Sequence, residues 1–343
     1  MSIRVLIVDD SSLVRGFLRA ILEREPDIEV VGEASNGRRA VEMTQALRPS
    51  LVTMDLEMPV MHGLEAIAEI MCTKAVPILV ASSYDDAANA CEALRLGALD
   101  VIAKPDHSTD TIAEFIAKVR LLADIVVMTR WSQQPAKINR LHAAPMPLLD
   151  APPGYRHLVA IAASTGGPQA LLQILAALPP EFSCPIIIAQ HIAEGFSAGL
   201  AEWLALHCAL PVRLVTSGES LSQGVVYLVP SEYNAVFDAQ ARIQLQQRAA
   251  NDIYRPNCDQ LLGSVAHVFG PRAVGIILTG MSSDGAWGMR QIHERGGITL
   301  AQDEHSSVVY GMNRVAIESG VIDQVLPLDA VASTLWKLIR CLQ

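Results

Sequence analysis

Short apolar runs alternate with longer amphipathic stretches over the first third of the chain. RVLIVDD, IEVVGEAS, LVTMDLEM, VPILVASS and DVIAKP read as strands, because aliphatic and β-branched residues follow one another with little polar interruption. Between them, SSLVRGFLRAILERE, GRRAVEMTQAL, GLEAIAEIMCTK and DDAANACEALRLG space their apolar residues like helices with one buried face. Repeated strand–helix alternation predicts a parallel sheet covered on both faces. The rhythm stops at residues 126–156, a stretch with five prolines and little periodicity, which reads as a linker.

From residue 157 to 343 the alternation resumes. HLVAIAAS, PIIIAQH, VRLVTS, GVVYLVP, NAVFDA, RIQLQQR, AVGIILTG and GITLAQD read as strands, with helices between several of them. From VVYLVP to IQLQQR short strands follow one another without a helix, which predicts a small antiparallel excursion. The expected architecture is therefore α/β, with two doubly wound parallel-sheet domains, residues 1–125 and 157–343. LWKLIRCLQ at the end reads as an amphipathic helix packed on the second sheet.

In such sheets functional groups gather where strands end and loops begin. Asp9 and Asp10 end the first strand, Asp55 the third, Ser82 the fourth and Lys104 the fifth. Three carboxylates at one point repel one another unless a cation neutralises them, and hard oxygen donors suit Mg²⁺. Asp55 is placed to accept a phosphoryl group, with Ser82 and Lys104 gripping its oxygens.

VAIAASTGGPQAL, residues 159–171, is less decided. The stretch matches neither GxxxxGK[ST] nor GxGxxG, and the first basic residue after it is Arg213, so a phosphate loop would rest on amides alone. Ser164 or Thr165 could simply cap the helix that follows. As a nucleophile, Ser164 needs a base and a group that orients the base. PIIIAQH delivers His191 at a strand end, and AVGIILTGMSSDG delivers Asp284 just past another. Amides near Thr165 and around Met281 are the candidates for an oxyanion hole. His157, His207, His267, His293 and His305 compete less well, lying in helical patterns or away from the strand ends that matter.

Bulk properties then exclude classes. The 343 residues carry 36 acidic and 26 basic side chains, a formal charge of −10, which argues against a large nucleic-acid or anionic-membrane footprint. The six cysteines are scattered without a CxxC pair and read as reduced thiols. MSIRVLIVDD turns acidic where a signal peptide would be apolar, and no apolar run is long enough to span a bilayer, so a cytoplasmic protein without membrane insertion is expected.

VLIVDDSSLVR, MDLEMPVMHGLE and AKP at 103–105 resemble the receiver domain of response regulators, a flavodoxin-like fold, over residues 1–125. The resemblance implies that the Glu57 backbone carbonyl joins Asp9, Asp10 and Asp55 around Mg²⁺. Val101 stands where many receivers carry a Tyr or Phe. IAASTGGPQAL, AQHIAEGFSAGLAEWL, GIILTGMSSDGAWGM and AQDEHSSVVYGMNR resemble the catalytic domain of the chemotaxis protein-glutamate methylesterases. That resemblance implies a Rossmann-like serine hydrolase with Ser164, His191 and Asp284 as triad and no cofactor for the esterase. It implies cleavage of glutamyl methyl esters on methyl-accepting chemoreceptors with release of methanol, and deamidation of receptor glutamines. The phosphodonor would be a chemotaxis-type histidine kinase, and the chain a monomer. The family pattern Pro-Gly-x-x-His is Pro230, Ser231, Glu232, Tyr233, Asn234 here, and His305 and Asn313 replace residues that are usually Ala and Pro. A transcription factor would need a basic DNA-binding module, which the acidic second half lacks. A non-catalytic adaptor with a vestigial triad is a second rival, and a nucleotide-binding α/β domain, which lacks the glycine fingerprint here, is a third.

Overall fold

The computed structural model describes residues 2–82, 87–125, 127, 157–247 and 254–342. The expected linker lies outside the described residues apart from Val127. The chain divides into two compact units, Met1–Lys137 and Ile138–Gln343.

In the first unit the strands are β1 (Ile3–Val8), β2 (Ile28–Ala34), β3 (Leu51–Met54), β4 (Ile78–Ser82) and β5 (Asp100–Ala103). The helices are α1 (Ser12–Leu22), α2 (Gly37–Leu47), α3 (Gly63–Thr73), α4 (Ala87–Leu96) and α5 (Thr109–Ala123). The strand order is β2-β1-β3-β4-β5, with every pair parallel. Val5, Leu6, Ile7, Leu51 and Val52 are wholly buried, as helices on both faces require. Each such side chain contributes roughly 1.5–3 kcal/mol of burial. α1 starts where the Ser11 side chain accepts the Val14 amide, and its Leu18, Ile21 and Leu22 face the sheet. The chain runs outward in one direction through β2 and in the other through β3, so a crevice opens at the carboxyl ends of β1 and β3.

The second unit contains β6 (Leu158–Ala163), α6 (Gly167–Ala176), β7 (Ile186–Gln190), α7 (Ser197–His207), β8 (Val212–Leu214) and β9 (Val226–Leu228). A hairpin follows, β10 (Tyr233–Phe237) and β11 (Ile243–Gln247), then α8 (Cys258–Phe269), β12 (Ala273–Ile277) and α9 (Ala286–Glu294). β13 (Ile298–Gln302), α10 (Met312–Glu318), β14 (Gln324–Leu326) and α11 (Leu328–Leu342) complete it. The main sheet has the order β14-β13-β12-β6-β7-β9-β8, again parallel throughout. β6 is central, with β7 on one side and β12 on the other, so the second crevice lies beyond these three strands.

One expectation is corrected. GVVYLVP is not part of the antiparallel excursion: Val226–Leu228 runs parallel between β7 and β8. Val226, Tyr227 and Leu228 are buried to 1% exposure or less, which only a strand covered on both faces allows. The antiparallel part is the β10–β11 hairpin alone. Among the described residues, no helix is long and apolar enough to cross a membrane.

Candidate active site

Ser164 is the first residue after β6 and His191 the first after β7; Asp284 lies in the loop between β12 and α9. The backbone ladder continues past the strand ends and fixes their spacing. Ser164 N donates to Thr279 O at 3.0 Å, and His191 N donates to Ala163 O at 2.9 Å. The Gln190 side chain adds a second tie, its Nε2 donating to both Ser164 O and His191 O at 2.8 Å.

The capping alternative for Ser164 and Thr165 does not hold. The N-cap of α6 is Gly166, at φ +79°, a conformation that favours glycine. The Ser164 carbonyl accepts the Gly167 amide at 2.7 Å, while Ser164 Oγ is hydrogen-bonded to no group among the described residues. Gly280 presses on the serine from the neighbouring loop, where an added Cβ would lie 2.5 Å from Ser164 Cβ.

His191 and Asp284 are joined directly, Nε2 to Oδ2, at 2.7 Å. Asp284 is 2% exposed and sits on the amino terminus of α8. Cys258 N donates to its Oδ2 at 2.7 Å and Asp259 N to its Oδ1 at 2.9 Å. Burial works to raise the Asp284 pKa, but the bonds to His191 and to these two amides outweigh it and hold the carboxyl below its ordinary value. Asp259 returns the contact: its Oδ1 accepts the amides of Gly285 and Gly288, both at 2.8 Å, at the start of α9. Each helix thus presents its N-terminal amides to a carboxylate from the start of the other. Burial, with Asp284 nearby, pushes the Asp259 carboxyl up. The Tyr254 ring stacks on the His191 imidazole, 5.3 Å between centroids and 5° from parallel.

The two oxyanion candidates differ. Thr165 is buried, and its carbonyl accepts the Thr279 hydroxyl at 2.9 Å. Met281 is 48% exposed, and its amide makes no hydrogen bond among the described residues. Ser282, next to it, is held at φ +138°, a strained value for a residue with a side chain. Of the other histidines, His207 bonds Trp203 O at 2.7 Å and His293 faces Asp323 at 3.4 Å.

In the first unit the sheet edge gathers Asp9, Asp10, Asp55, Ser82 and Lys104. One oxygen each from Asp9, Asp10 and Asp55 lie within 4.8 Å of one another. Lys104 Nζ spans the cluster, 2.8 Å from Asp9 Oδ2 and 3.0 Å from Asp55 Oδ2. Burial and the neighbouring Asp9 raise the Asp55 pKa against the pull of Lys104. Burial also opposes the Lys104 charge, and its bonds to Asp9 and Asp55 outweigh that, leaving the ammonium raised. Ser82 is buried at the end of β4, whereas Glu57 is exposed on the loop after β3. Arg15 Nη1 holds the turn from behind, donating to Asp9 O at 2.8 Å and Asp10 O at 2.9 Å. The crowded, lysine-bridged carboxylates are a hard-oxygen donor set that fits Mg²⁺.

A family model described as CheB methylesterase matches residues 159–335. The chain belongs to the CheB methylesterase family. A second model, response regulator receiver domain, matches residues 5–117 of this family member. A Paramagnetospirillum magneticum relative named protein-glutamate methylesterase/protein-glutamine glutaminase 3 is 53% identical, over 98% of this chain and 96% of its own length. Another, from Anaeromyxobacter dehalogenans and named protein-glutamate methylesterase/protein-glutamine glutaminase 2, is 42% identical over 98% and 97%. The crystal structure of the Thermotoga maritima CheB methylesterase catalytic domain aligns with a TM-score of 0.52 at 33% identity. It covers 54% of this chain and 99% of that one.

Of the positions expected to depart from the family pattern, Asn234, Asn313 and Ser231 have side-chain partners. Asn234 Oδ1 accepts the amide of Asn257, the N-cap of α8, at 2.9 Å, so it steadies the helix end that holds Asp284. Asn313 Nδ2 donates to Gln302 O at 2.9 Å and Ser307 Oγ at 2.7 Å. Ser231 is wholly buried against Ser197, Val101 is buried in β5, and His305 is exposed. Sequence reading missed Gln190, Tyr254, Cys258 and Asp259. An acid in the first turn after the Asn257 cap was the available signal for Asp259.

Proposed function

We propose that this chain is a phosphorylation-controlled serine hydrolase of glutamyl methyl esters on methyl-accepting chemoreceptors; its relatives are named as protein-glutamate methylesterases and protein-glutamine glutaminases. The 2.7 Å bond between His191 Nε2 and Asp284 Oδ2, one strand from a Ser164 Oγ that has no hydrogen-bond partner among the described residues, carries the reading. Because Asp284 accepts at Nε2, the neutral ring keeps its proton there, and Nδ1 is the nitrogen left to act as base. Nδ1 takes the Ser164 proton as Oγ attacks the ester carbonyl, and the Met281 amide is the donor available to the oxyanion. The same proton passes to the departing methoxide, releasing methanol. Water, deprotonated by Nδ1, then hydrolyses the glutamyl-enzyme to glutamate. A glutamine side chain follows the same course, with ammonia as the leaving group.

Asp55 is the phosphorylation site. Asp9, Asp10 and Asp55, with the Glu57 carbonyl, would hold Mg²⁺, which when bound neutralises charge around the incoming phosphoryl group. An Asp55 oxygen attacks the phosphorus of a phosphohistidine on a chemotaxis-type kinase, and the kinase imidazole leaves. Lys104 exchanges a carboxylate for a phosphoryl oxygen, and Ser82 donates to another. The union of receiver and hydrolase in one chain supports control of hydrolysis by this event, in a cytoplasmic monomer.

Methanol release from methylated receptors, with and without a phosphodonor, tests the whole reading. Ser164→Ala should lose at least about 10⁴-fold in kcat and all labelling by a fluorophosphonate probe. Near-normal methanol release by that variant would overturn the assignment. Labelling of the wild type separates the enzyme from an adaptor with a vestigial triad.

A further inference from the structure

The hydrolytic site holds a thiol that its chemistry does not use. Cys258, wholly buried at the start of α8, has Sγ 3.3 Å from His191 Nε2 and 3.6 Å from Ala189 O. The same Nε2 is 2.7 Å from Asp284 Oδ2. One nitrogen, one sulfur and one carboxylate oxygen therefore lie within 4.8 Å of one another. Borderline-soft Zn²⁺ prefers this mixture of donors.

The spacing is close to what the ion needs. With Zn–N and Zn–O near 2.1 Å, Zn–S near 2.3 Å and tetrahedral angles, a nitrogen and a sulfur sit about 3.6 Å apart and a nitrogen and an oxygen about 3.4 Å. The imidazole–thiol distance almost meets the first figure. The carboxylate must withdraw by about 0.7 Å to meet the second, and Asp284 Oδ1 keeps its bond to the Asp259 amide meanwhile. Thiolate and carboxylate together neutralise the ion, which suits a buried position. His191, 12% exposed at its side chain, is the donor that faces solvent.

We propose that His191 Nε2, Cys258 Sγ and an Asp284 oxygen form a zinc site whose occupation switches the hydrolase off. The inference rests on the reading of Ser164, His191 and Asp284 given above. Its logic lies in the imidazole. Zinc takes the lone pair at Nε2, so the proton carried there moves to Nδ1, and Cys258 releases its S–H proton to solvent, one proton per ion bound. Nδ1 then carries hydrogen and cannot accept the proton of Ser164. The serine is silenced without being touched.

The test uses the full chain, freed of metal by chelation, with exposed Cys72 and Cys341 replaced by serine. Fluorophosphonate labelling of Ser164 and ester hydrolysis are followed as ZnCl₂ is added, each variant scored against its own zinc-free rate. In the Cys258-containing chain one equivalent of zinc should cut both rates at least tenfold, reversibly by EDTA. Cys258→Ser and Cys258→Val should each be at least tenfold less sensitive. Cobalt(II) added in place of zinc should give a thiolate-to-metal charge-transfer band that Cys258→Val lacks, a readout independent of catalysis. A metal-free chain that does not label would defeat the hydrolase reading, while the cobalt band would still decide the metal site. Equal zinc sensitivity with and without Cys258, or no cobalt–thiolate band in the Cys258-containing chain, would overturn the proposal.

Discussion

Asp55 and Asp284 both lie beyond strand ends of parallel sheets, and both are nearly buried, yet their surroundings push them in opposite directions. Around Asp55 the neighbours are other carboxylates and one lysine on a flexible stem, and burial lifts its pKa. Around Asp284 they are backbone amides at a helix terminus and one imidazole, and its pKa is drawn down. The first environment leaves a carboxylate crowded by burial and like charge, a repulsion that a bound cation would relieve. The second leaves one fixed in charge and direction, fit to set a tautomer. Strand-end position makes a residue accessible to chemistry; the donors around it decide which chemistry.

The sharpest test of that contrast is to remove each charge. Asp284→Asn should lower kcat by about 10⁴-fold while the catalytic unit stays folded, measured as methanol release and by circular dichroism. Asp55→Asn should leave the basal hydrolysis intact, abolish its stimulation by a phosphodonor, and raise rather than lower the melting temperature of the receiver. Loss of receiver stability in that variant would break the comparison.

Acid supplies a test of sign. The folded pKa of Asp284 lies below the unfolded value, so its ionisation stabilises the second unit above about pH 4. That contribution is lost as pH falls through the folded value. The folded pKa of Asp55 lies above the unfolded value, so ionisation penalises the first unit at neutral pH, and the penalty vanishes as pH falls. Hydrogen exchange of slow amides in each unit, from neutral pH downward, should show Asp284→Asn flattening the acid loss in the second unit. Asp55→Asn should add protection to the first only at the upper end. Identical responses in the two units would leave the contrast without foundation.

Smaller effects should follow from the supports. Asp259→Ala removes the acceptor of two α9 amides and should cost about 1 kcal/mol as a lost cap, with kcat reduced about tenfold through misplacement of Asp284. Asn234→Ala, one step further out, should cost about 0.5–1.5 kcal/mol and change kcat by less than Asp259→Ala does.

The two sheets were legible because uninterrupted aliphatic runs and amphipathic stretches alternate, and both periodicities survive in a single sequence. The strand-end rule singled out six positions: the structure joins His191 to Asp284 and gathers Asp9, Asp55 and Lys104, while Ser164 Oγ bonds none of them. β14 was not legible: Gln324 and Val325 are exposed at a sheet edge, so selection for burial left no pattern there. GVVYLVP misled because a short chain of strands without helices implies hairpins, and only the pairing partner of each strand decides. Gln190 escaped because a side chain that ties neighbouring carbonyls has no characteristic spacing. Asp259 carried a signal, an acid in the first turn after an Asn cap, but it marks a helix start and not which amides the acid holds.

The exchange of carboxylates between α8 and α9 has a dynamic consequence. Helix ends ordinarily fray one at a time, each for a small free energy. Here the first turn of α8 cannot open without withdrawing Asp259 from α9, nor the start of α9 without withdrawing Asp284 from α8. The amides of Cys258, Asp259, Gly285 and Gly288 should therefore exchange with solvent as one cooperative unit, and the site is either assembled or open, with no half-loosened state between.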